Sequence, residues 1–203
     1  MKIYKDEKVI RWRTDPVQSE ICFDVRHLMV SRVNGRFRQY EAHVLTNGDD
    51  FSTADIMLKI TSKSITTDDS ILDAYFKGPD CLNVDQYKQI IFASTSLSQR
   101  PGTDNLQLGG DLTIAGVTRN INLEMKVWFG SKDAWGDTTA SLLITGKIAR
   151  ADWGVKWTTA MESAGFLVGD EIIITWKMEL INPGQHDAQK RPDPVAVDRV
   201  GIR

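Results

Sequence analysis

The sequence predicts an all-β fold: a single closed, antiparallel barrel of eight strands with a short helix packed against it. Apolar and polar residues alternate with a period of two along eight stretches, as in strands that bury one face. Turn-forming residues bound these stretches. Several stretches exceed the roughly five to six residues of an ordinary strand, which favours the long, tilted strands of a barrel over those of a sandwich.

The first four predicted strands lie in the amino-terminal half of the chain. In the first of them, Ile21, Phe23 and Val25 alternate with Cys22 and Asp24. The fourth is the least regular, because three apolar residues are contiguous at its start. The predicted bounds of these strands are 19–26, 36–46, 54–64 and 90–99.

The remaining four predicted strands have clearer patterns. A Pro-Gly-Thr-Asp-Asn turn precedes the fifth strand. The sixth has the cleanest alternation, and its apolar face consists of Ile121, Leu123, Met125 and Val127. The predicted bounds of the fifth, seventh and eighth strands are 106–115, 137–149 and 171–182.

Residues 67–77 break the strand pattern and predict a helix. Apolar side chains recur four residues apart, as in the pair Leu72 and Phe76, which places them on one helix face. Thr67 or Asp68 is predicted to cap the amino terminus, and the Gly-Pro pair that follows is predicted to end the helix. A short segment further upstream, 27–33, is predicted to form a helical turn.

The carboxyl-terminal residues differ in composition from the rest of the chain. They are polar and rich in Pro, Asp and Arg, so they cannot build a core element alone. We therefore predict a barrel domain at 1–182 and a C-terminal extension at 183–203. The extension is expected to dock on a partner subunit or, alternatively, on the wall of its own barrel.

Composition and charge narrow the range of functions. Hydrophobic residues make up 41% and charged residues 26% of the 203 residues, an ordinary balance for a globular protein. The formal net charge is −2, and Lys and Arg are scattered, whereas nucleic-acid binding requires a basic patch. The amino terminus lacks an apolar run, so no integral membrane segment is predicted. We expect a cytoplasmic protein, or a periplasmic one if a leader has been removed.

The inward faces of the predicted barrel leave space in its interior. An eight-stranded barrel is just wide enough to be filled by its own side chains or to hold one small ligand. Small residues interrupt the inward faces, among them Ala42, Ser94, Ala140 and Gly146. Their presence favours a cavity, with a self-filled barrel as the alternative.

Four motifs occur in order along the chain and are joined by predicted strands. They are Gly-Arg-Phe at 35–37 followed by Tyr40, Ser-Ile-Thr-Thr at 64–67, Gly-Asp-Leu-Thr-Ile-x-Gly-Val-Thr-Arg at 110–119, and Ile-x-Arg-x-Asp-Trp-Gly at 148–154. Together they resemble the YceI-like family, the lipocalin-like polyisoprenoid-binding proteins. The resemblance spans roughly residues 11–181.

The resemblance implies a lipocalin-like barrel that holds an isoprenoid, an isoprenoid quinone or a fatty-acid derivative in its lumen, with a homodimer as the expected assembly. Carried onto this chain, the predicted lining is Phe23, Tyr40, Leu58, Phe92, Leu112, Ile114, Leu123, Met125, Leu142, Ile144, Ile174 and Trp176. Each of these residues also lies on an apolar strand face. Trp153 and Trp157 flank a loop-like Gly154 and are predicted to cover the mouth of the barrel.

The chain departs from the family pattern near the expected polar end of the ligand. The Arg and His that the family carries on its helix are absent from residues 72–76, and Cys81-Leu82 replaces a Phe-Phe pair. Arg36 and Arg150 occupy positions where the family motifs place cations. We expect these two side chains either to meet a polar head group or to form structural ion pairs at strand ends.

The predicted function is binding of a long apolar ligand, and the chain is predicted not to be an enzyme. No nucleophile with a base and an orienting group stands out, since Cys22 and His27 have no third partner. The three His residues have no Cys or carboxylate at the spacing of a metal site, so neither a metal site nor a cofactor is predicted. Both cysteines are expected to be free thiols. The alternatives are a lipid-modifying enzyme that uses the barrel cavity and an assembly or scaffold module with a self-filled barrel.

Overall fold

The computed structural model describes residues 9–27, 31–130, 137–156 and 168–182. In these residues the chain forms ten strands and one α-helix. The strands are β1 (Val9–His27), β2 (Ser31–Phe37), β3 (Tyr40–Asn47), β4 (Asp50–Thr61), β5 (Ile65–Thr66), β6 (Gln89–Gln99), β7 (Leu106–Ile114), β8 (Val117–Phe129), β9 (Thr138–Ala149) and β10 (Val168–Asn182). The helix, α1 (Ser70–Lys77), lies between β5 and β6. The predicted extension at 183–203 lies outside the described residues.

Eight of the described strands close into an antiparallel barrel. The order of neighbours is β10-β9-β8-β7-β6-β4-β3-β1, and the pairing of β1 with β10 completes the ring. The short strands β2 and β5 continue the sheet from β1 outside this ring. The predicted eight-stranded antiparallel barrel with one helix is therefore confirmed.

β1 runs through two different environments and has different neighbours in each. Its first residues, Val9 to Trp12, pair with β3, whereas its last seven residues pair with β2. Its register with β10 shifts between Asp15 and Glu20, where the chain bulges out of the ladder. The Ser19 hydroxyl restores one bond there by accepting the Glu179 N–H at 2.9 Å.

The barrel has one close-packed end, which we define by Trp12, Val44, Phe51, Ala140 and Leu180. The side chains of these five residues are at most 4% exposed. The Trp12 and Phe51 rings lie 5.1 Å apart, and the Trp12 indole N–H donates to the Thr46 hydroxyl at 2.8 Å. Ala140, a predicted sign of free space, lies at this end and is fully buried. Small residues here allow close packing rather than a cavity.

α1 lies against the opposite end of the barrel. Its Leu72 and Phe76 side chains are buried, as their four-residue spacing predicts. The amino-terminal cap is Asp69, whose carboxylate accepts the N–H groups of Ile71 and Leu72 at 2.8 and 3.1 Å. The predicted caps were Thr67 and Asp68, one to two residues too early.

Thr67 lies before the cap and contacts the helix in a different way. Its N–H and hydroxyl both donate to the Asp73 carboxylate, at 2.6 and 2.9 Å. Partial burial acts to raise the pKa of Asp73, but these hydrogen bonds outweigh it and hold that pKa below its ordinary value of 3.8. The Asp73 side chain therefore ties the segment before α1 to the helix.

Two sequence predictions for the region from 27 to 46 were wrong. Residues 31–33 belong to β2 and pair with β1, so the part of 27–33 that the structure describes is a strand and not a helical turn. The Phe23 ring lies over Gly35, where a β-carbon would collide with it, and this contact favours the extended pairing. The predicted strand 36–46 is interrupted at Arg38 and Gln39 because their N–H groups bond to Ser64 instead.

The packing predicts that the core is sensitive to loss of volume. Leu142 is 2% exposed, so Leu142→Ala should lower the free energy of unfolding by about 2–5 kcal/mol. Met57→Ala is the control, because Met57 is 40% exposed and its truncation should change stability by less than about 0.5 kcal/mol. Urea unfolding followed by tryptophan fluorescence measures both, and equal midpoints for the two variants would contradict this core assignment.

The Asp73 contacts predict a pH-dependent contribution to stability. Because the pKa of Asp73 is lowered in the folded protein, its contribution is present above pH 3.8 and is lost as the pH falls below that value. Asp73→Ala should therefore cost about 1 kcal/mol or less at pH 7, since solvent partly screens the carboxylate. Thermal unfolding of both proteins should show that the difference in melting temperature between them narrows below pH 3.8. A difference that stays constant or widens below pH 3.8 would contradict this role of Asp73.

Candidate ligand cavity

An apolar cavity of about 100 Å³ lies inside the barrel at the end that carries α1. Its lining comes from the second part of β1, from β2, β4 to β7, β9 and β10, from α1, and from the two segments that follow α1 and β9. The lining residues are Ile21, Cys22, Phe23, Val25, Phe37, Ile60, Ile65, Phe76, Cys81, Leu82, Ile90, Leu112, Ile114, Ile148, Arg150, Trp153, Val155, Ile172, Ile174 and Trp176.

The barrel strands supply the inner wall of the cavity. Phe23 on β1 lies opposite Ile174 on β10, and the next inward pair is Ile21 with Trp176. The Trp176 ring packs edge-on against Phe92, with ring centroids 5.2 Å apart. Phe92 is fully buried but does not line the cavity. The Phe92–Trp176 pair therefore forms the floor that divides the cavity from the close-packed end.

Aromatic rings close the cavity on the side of α1. The Phe76 ring meets the Phe23 ring edge-on at 5.8 Å, and Phe37 on β2 lies 5.7 Å from the same Phe23 ring. The edge-to-face pair of Phe76 and Phe23 is a favourable contact beyond the area that it buries. The helix is thus held on the barrel by the same side chains that line the cavity.

A second cover is the segment 150–156, which we call the strap. It begins as a short 3₁₀ turn and leaves it through Gly154 in the left-handed conformation, with φ of 69°. The Trp153 indole N–H donates to the Leu112 carbonyl at 3.1 Å. Lys156 is bound on both sides, because its carbonyl accepts the Tyr75 hydroxyl at 2.8 Å and its N–H donates to the Asp80 carbonyl at 3.0 Å. These bonds fasten the strap to β7, to α1 and to the loop after α1.

Both cysteines are free thiols, as the sequence predicts. Both also line the cavity. Burial raises the pKa of the Cys81 thiol to about 12. Burial also raises the pKa of the Cys22 thiol above its ordinary value. Both groups are therefore neutral thiols near pH 7 and poor nucleophiles.

Arg150 is the charged residue among the described lining side chains. Its Nη2 atom lies 2.6 Å from the Asp170 carboxylate, and its Nη1 donates to the Val155 carbonyl at 3.0 Å. Its Nε atom is buried and has no hydrogen-bond acceptor among the described residues. Arg36, the other predicted cation, instead pairs with Asp68 at 3.2 Å on the outer surface. Both arginines therefore form ion pairs, which is one of the two predicted alternatives, and Arg150 also lines the cavity.

The structure brings some of the predicted ligand-binding residues together around the cavity. Six of them contribute to its lining: Phe23, Leu112, Ile114, Trp153, Ile174 and Trp176. Six others are buried in the core but do not line it: Leu58, Phe92, Leu123, Met125, Leu142 and Ile144. Tyr40 is half-buried beside the β1 bulge, also away from the lining, and Trp157 lies outside the described residues. Contact of any of these with a ligand stays a prediction.

The predicted lining omitted several barrel-strand residues, such as Ile21, Ile60 and Ile148, and most of the cover of the cavity. Phe37, Ile65, Phe76, Leu82 and Val155 all line it from outside the eight barrel strands. Only Phe76 gave a usable signal, through its four-residue spacing from Leu72 on the helix. Ile65, Leu82 and Val155 lie in short or irregular segments, where no period exists to mark an inward face, and Phe37 lies at the end of β2, whose bounds were wrongly predicted.

Other kinds of site receive no support from the described part of the chain. Among these residues, no group of three or more His, Cys, Asp or Glu side chains is arranged to hold a metal ion. No helix within them is long and apolar enough to cross a membrane.

A closed eight-stranded antiparallel barrel with an apolar cavity beneath a helix is the architecture of a lipocalin-like protein. The family model for the YceI-like domain matches residues 12–180. The chain belongs to the YceI-like family, as its sequence motifs predict. It is also 30% identical over 159 residues to the UPF0312 protein SAS2572 of Staphylococcus aureus, a match that covers 78% of this chain and 90% of that protein.

Solved structures share this fold. Burkholderia cenocepacia BcnA superposes with a TM-score of 0.70 at 19% identity and covers 82% of this chain and 99% of its own. A Campylobacter jejuni YCEI protein superposes with a TM-score of 0.65 at 23% identity, and the match covers 77% of this chain and 88% of that protein. A polyisoprenoid binding domain from Saccharophagus degradans gives 0.65 at 14% identity, covering 87% and 100%.

The burial of Cys81 predicts a very unreactive thiol. Cys81 is 6% exposed, and its raised pKa leaves little thiolate at pH 8. In Cys22→Ala, the remaining thiol should react with an aromatic disulfide reagent about 100-fold or more slowly than the same thiol in urea. The matched control, Cys81→Ala, keeps the less buried Cys22. Equal rates in native and unfolded Cys22→Ala would show that Cys81 is open to solvent.

Proposed function

We propose that this protein binds one long-chain apolar molecule, such as a polyisoprenoid, an isoprenoid quinone or a fatty-acid derivative, in the barrel cavity for carriage, storage or sequestration. The observation that carries the proposal is the cavity itself: apolar side chains of barrel, helix and strap converge on one space, while the other end is close-packed. The structural neighbour from Saccharophagus degradans, described as a polyisoprenoid binding domain, supports the same class of ligand.

The driving force would be removal of apolar ligand surface from water. Each methylene of the ligand that moves from water into the cavity contributes about 0.8 kcal/mol to the free energy of binding. The cavity of about 100 Å³ is smaller than the ~150 Å³ that accepts a benzene ring. In this form it therefore holds one end of a chain. Binding of a longer segment requires the covering rings, Phe37 and Phe76 in particular, to move outward.

Several features support binding rather than catalysis. Within the described lining, the side chains able to ionise are Cys22, Cys81 and Arg150. Both thiols are held neutral by burial, and the guanidinium is paired with Asp170. A lipid-modifying enzyme would need a nucleophile or a general base at this position. The described lining instead offers a mainly apolar surface with Arg150 as its charged group.

The small volume of the cavity favours a second candidate, an assembly or scaffold module whose barrel is filled by its own side chains. Such a module would present its outer surface to partners and would gain nothing from an apolar molecule in solution. Homodimer formation and a docking role for residues 183–203 also stay predictions. The two candidates differ in what happens when the cavity is filled by mutation.

Ile148→Phe tests the proposal directly, because Ile148 lines the cavity and is 6% exposed. The added ring should occupy the cavity and weaken binding of geranylgeraniol by about tenfold or more. Ile71→Phe is the matched control, since Ile71 is 64% exposed on the outer face of α1, and it should bind like the parent. Quenching of Trp153 and Trp176 fluorescence reports binding, and circular dichroism confirms folding. Equal affinity of all three folded proteins would place the ligand elsewhere; no binding by any would favour the scaffold.

A further inference from the structure

Arg150 lies at the wall of the cavity and holds a buried donor that has no acceptor among the described residues. A guanidinium carries five N–H donors in one plane and accepts none. Two of its three nitrogens are engaged, Nη1 with the Val155 carbonyl and Nη2 with the Asp170 carboxylate. The third, Nε, is buried without an acceptor among the described residues. A buried donor without an acceptor is costly, so an acceptor brought by a ligand would be bound with a gain.

We propose that Arg150 recognises the ligand through its Nε–H, which donates a hydrogen bond to a single neutral oxygen at the end of the apolar chain: a ketone, ester, amide or alcohol oxygen. This inference rests on the proposed function and makes it more specific, because it selects among apolar chains by their terminal group. Arg150 is in this account a specificity-determining residue, and it is positioned by the strap to which it belongs.

The charges around Arg150 favour a neutral oxygen over an anionic one. The positive charge is already compensated by Asp170, whose oxygen lies 2.6 Å from Nη2. The other polar groups of the described lining are neutral thiols. A phosphate or diphosphate would bring further negative charge into this environment, where the Asp170 carboxylate already pairs with the guanidinium. Burying such a charge without a partner is strongly unfavourable.

The geometry of the strap keeps the Nε–H in place. Arg150 begins the strap, and its own side chain bonds to the Val155 carbonyl near the other end. The Arg150 carbonyl in turn accepts the Val155 N–H at 3.3 Å. With its side chain 19% exposed, Arg150 is confined by these contacts and by Asp170. Little side-chain freedom remains to be lost when a ligand binds, which favours recognition by this donor.

The test compares nonane, 2-nonanone and nonyl phosphate as probes in the full chain. Arg150→Lys keeps a cation for Asp170 but lacks the Nε–H donor, and Arg36→Lys makes the same change on the outer surface. The measured quantity is the ratio of the dissociation constants of nonane and 2-nonanone, so that probe solubility cancels between proteins. The parent and Arg36→Lys should have the same ratio, and Arg150→Lys should reduce it by about tenfold or more. Nonyl phosphate should bind no more tightly than 2-nonanone.

The outcomes separate this inference from the proposed function. If nonane binds and the ratio is unchanged in Arg150→Lys, the Arg150 contact is wrong and the apolar cavity stands. If nonyl phosphate binds most tightly of the three probes, the inference that Arg150 selects a neutral oxygen is wrong. If the folded parent binds neither nonane nor 2-nonanone, both proposals fail.

A measurement on the parent protein does not depend on the folding of any variant. The Arg150 Nε–H proton should shift in NMR spectra during titration with 2-nonanone and should move much less with nonane. Identical shifts with both probes would overturn the contact.

Discussion

The pairing of β1 with β10 is the constraint on which the rest of the structure depends. It turns a row of eight strands into a ring, so that the backbone groups of both terminal strands find partners and the apolar faces enclose one core. β1 can do this because it is long enough, at 19 residues, to border both ends of the barrel. The same strand must therefore serve a close-packed end and a cavity.

The bulge in β1 makes these two tasks compatible. Before it, Ile10 and Trp12 are buried, and after it, Ile21, Phe23 and Val25 are buried, so the inward positions change from even to odd numbers. Between Asp15 and Glu20, β1 advances five residues while β10 advances two, from Glu179 to Lys177. The three extra residues shift the phase of the strand by an odd number and reverse its faces. Without this shift, Phe23 and its neighbours would face solvent instead of the cavity.

The sequence was sufficient to predict the faces of the strands, but not positions along the barrel axis. Phe23, Leu112, Leu123, Leu142 and Ile174 are all buried, as alternation predicts. Alternation says nothing about height, however, and so could not distinguish Leu112, which lines the cavity, from Leu142, which lies below its floor. Height depends on register and on the bulge in β1, and both are set by pairing between residues distant in sequence.

The cover of the cavity was harder to predict for a different reason. The strap and the loop after α1 are short, lack a periodic pattern, and are held by bonds to backbone atoms, such as the one from the Tyr75 hydroxyl to the Lys156 carbonyl. Many side chains could make or replace such bonds, so residue identity carries little information about them. Arg150 is an instructive case, because its motif position suggested two roles, and only the structure shows that its buried Nε has no acceptor among the described residues.

The central claim is that the cavity beneath α1 and the strap holds an apolar molecule. The most direct measurement is organic extraction of the purified protein, followed by mass spectrometry, with Ile148→Phe prepared and extracted in parallel. An apolar molecule with a terminal neutral oxygen should be present in near-equal amount to the parent protein and should be strongly reduced in the folded variant. Repeated preparations of the parent without any such molecule, or equal amounts from both proteins, would contradict it.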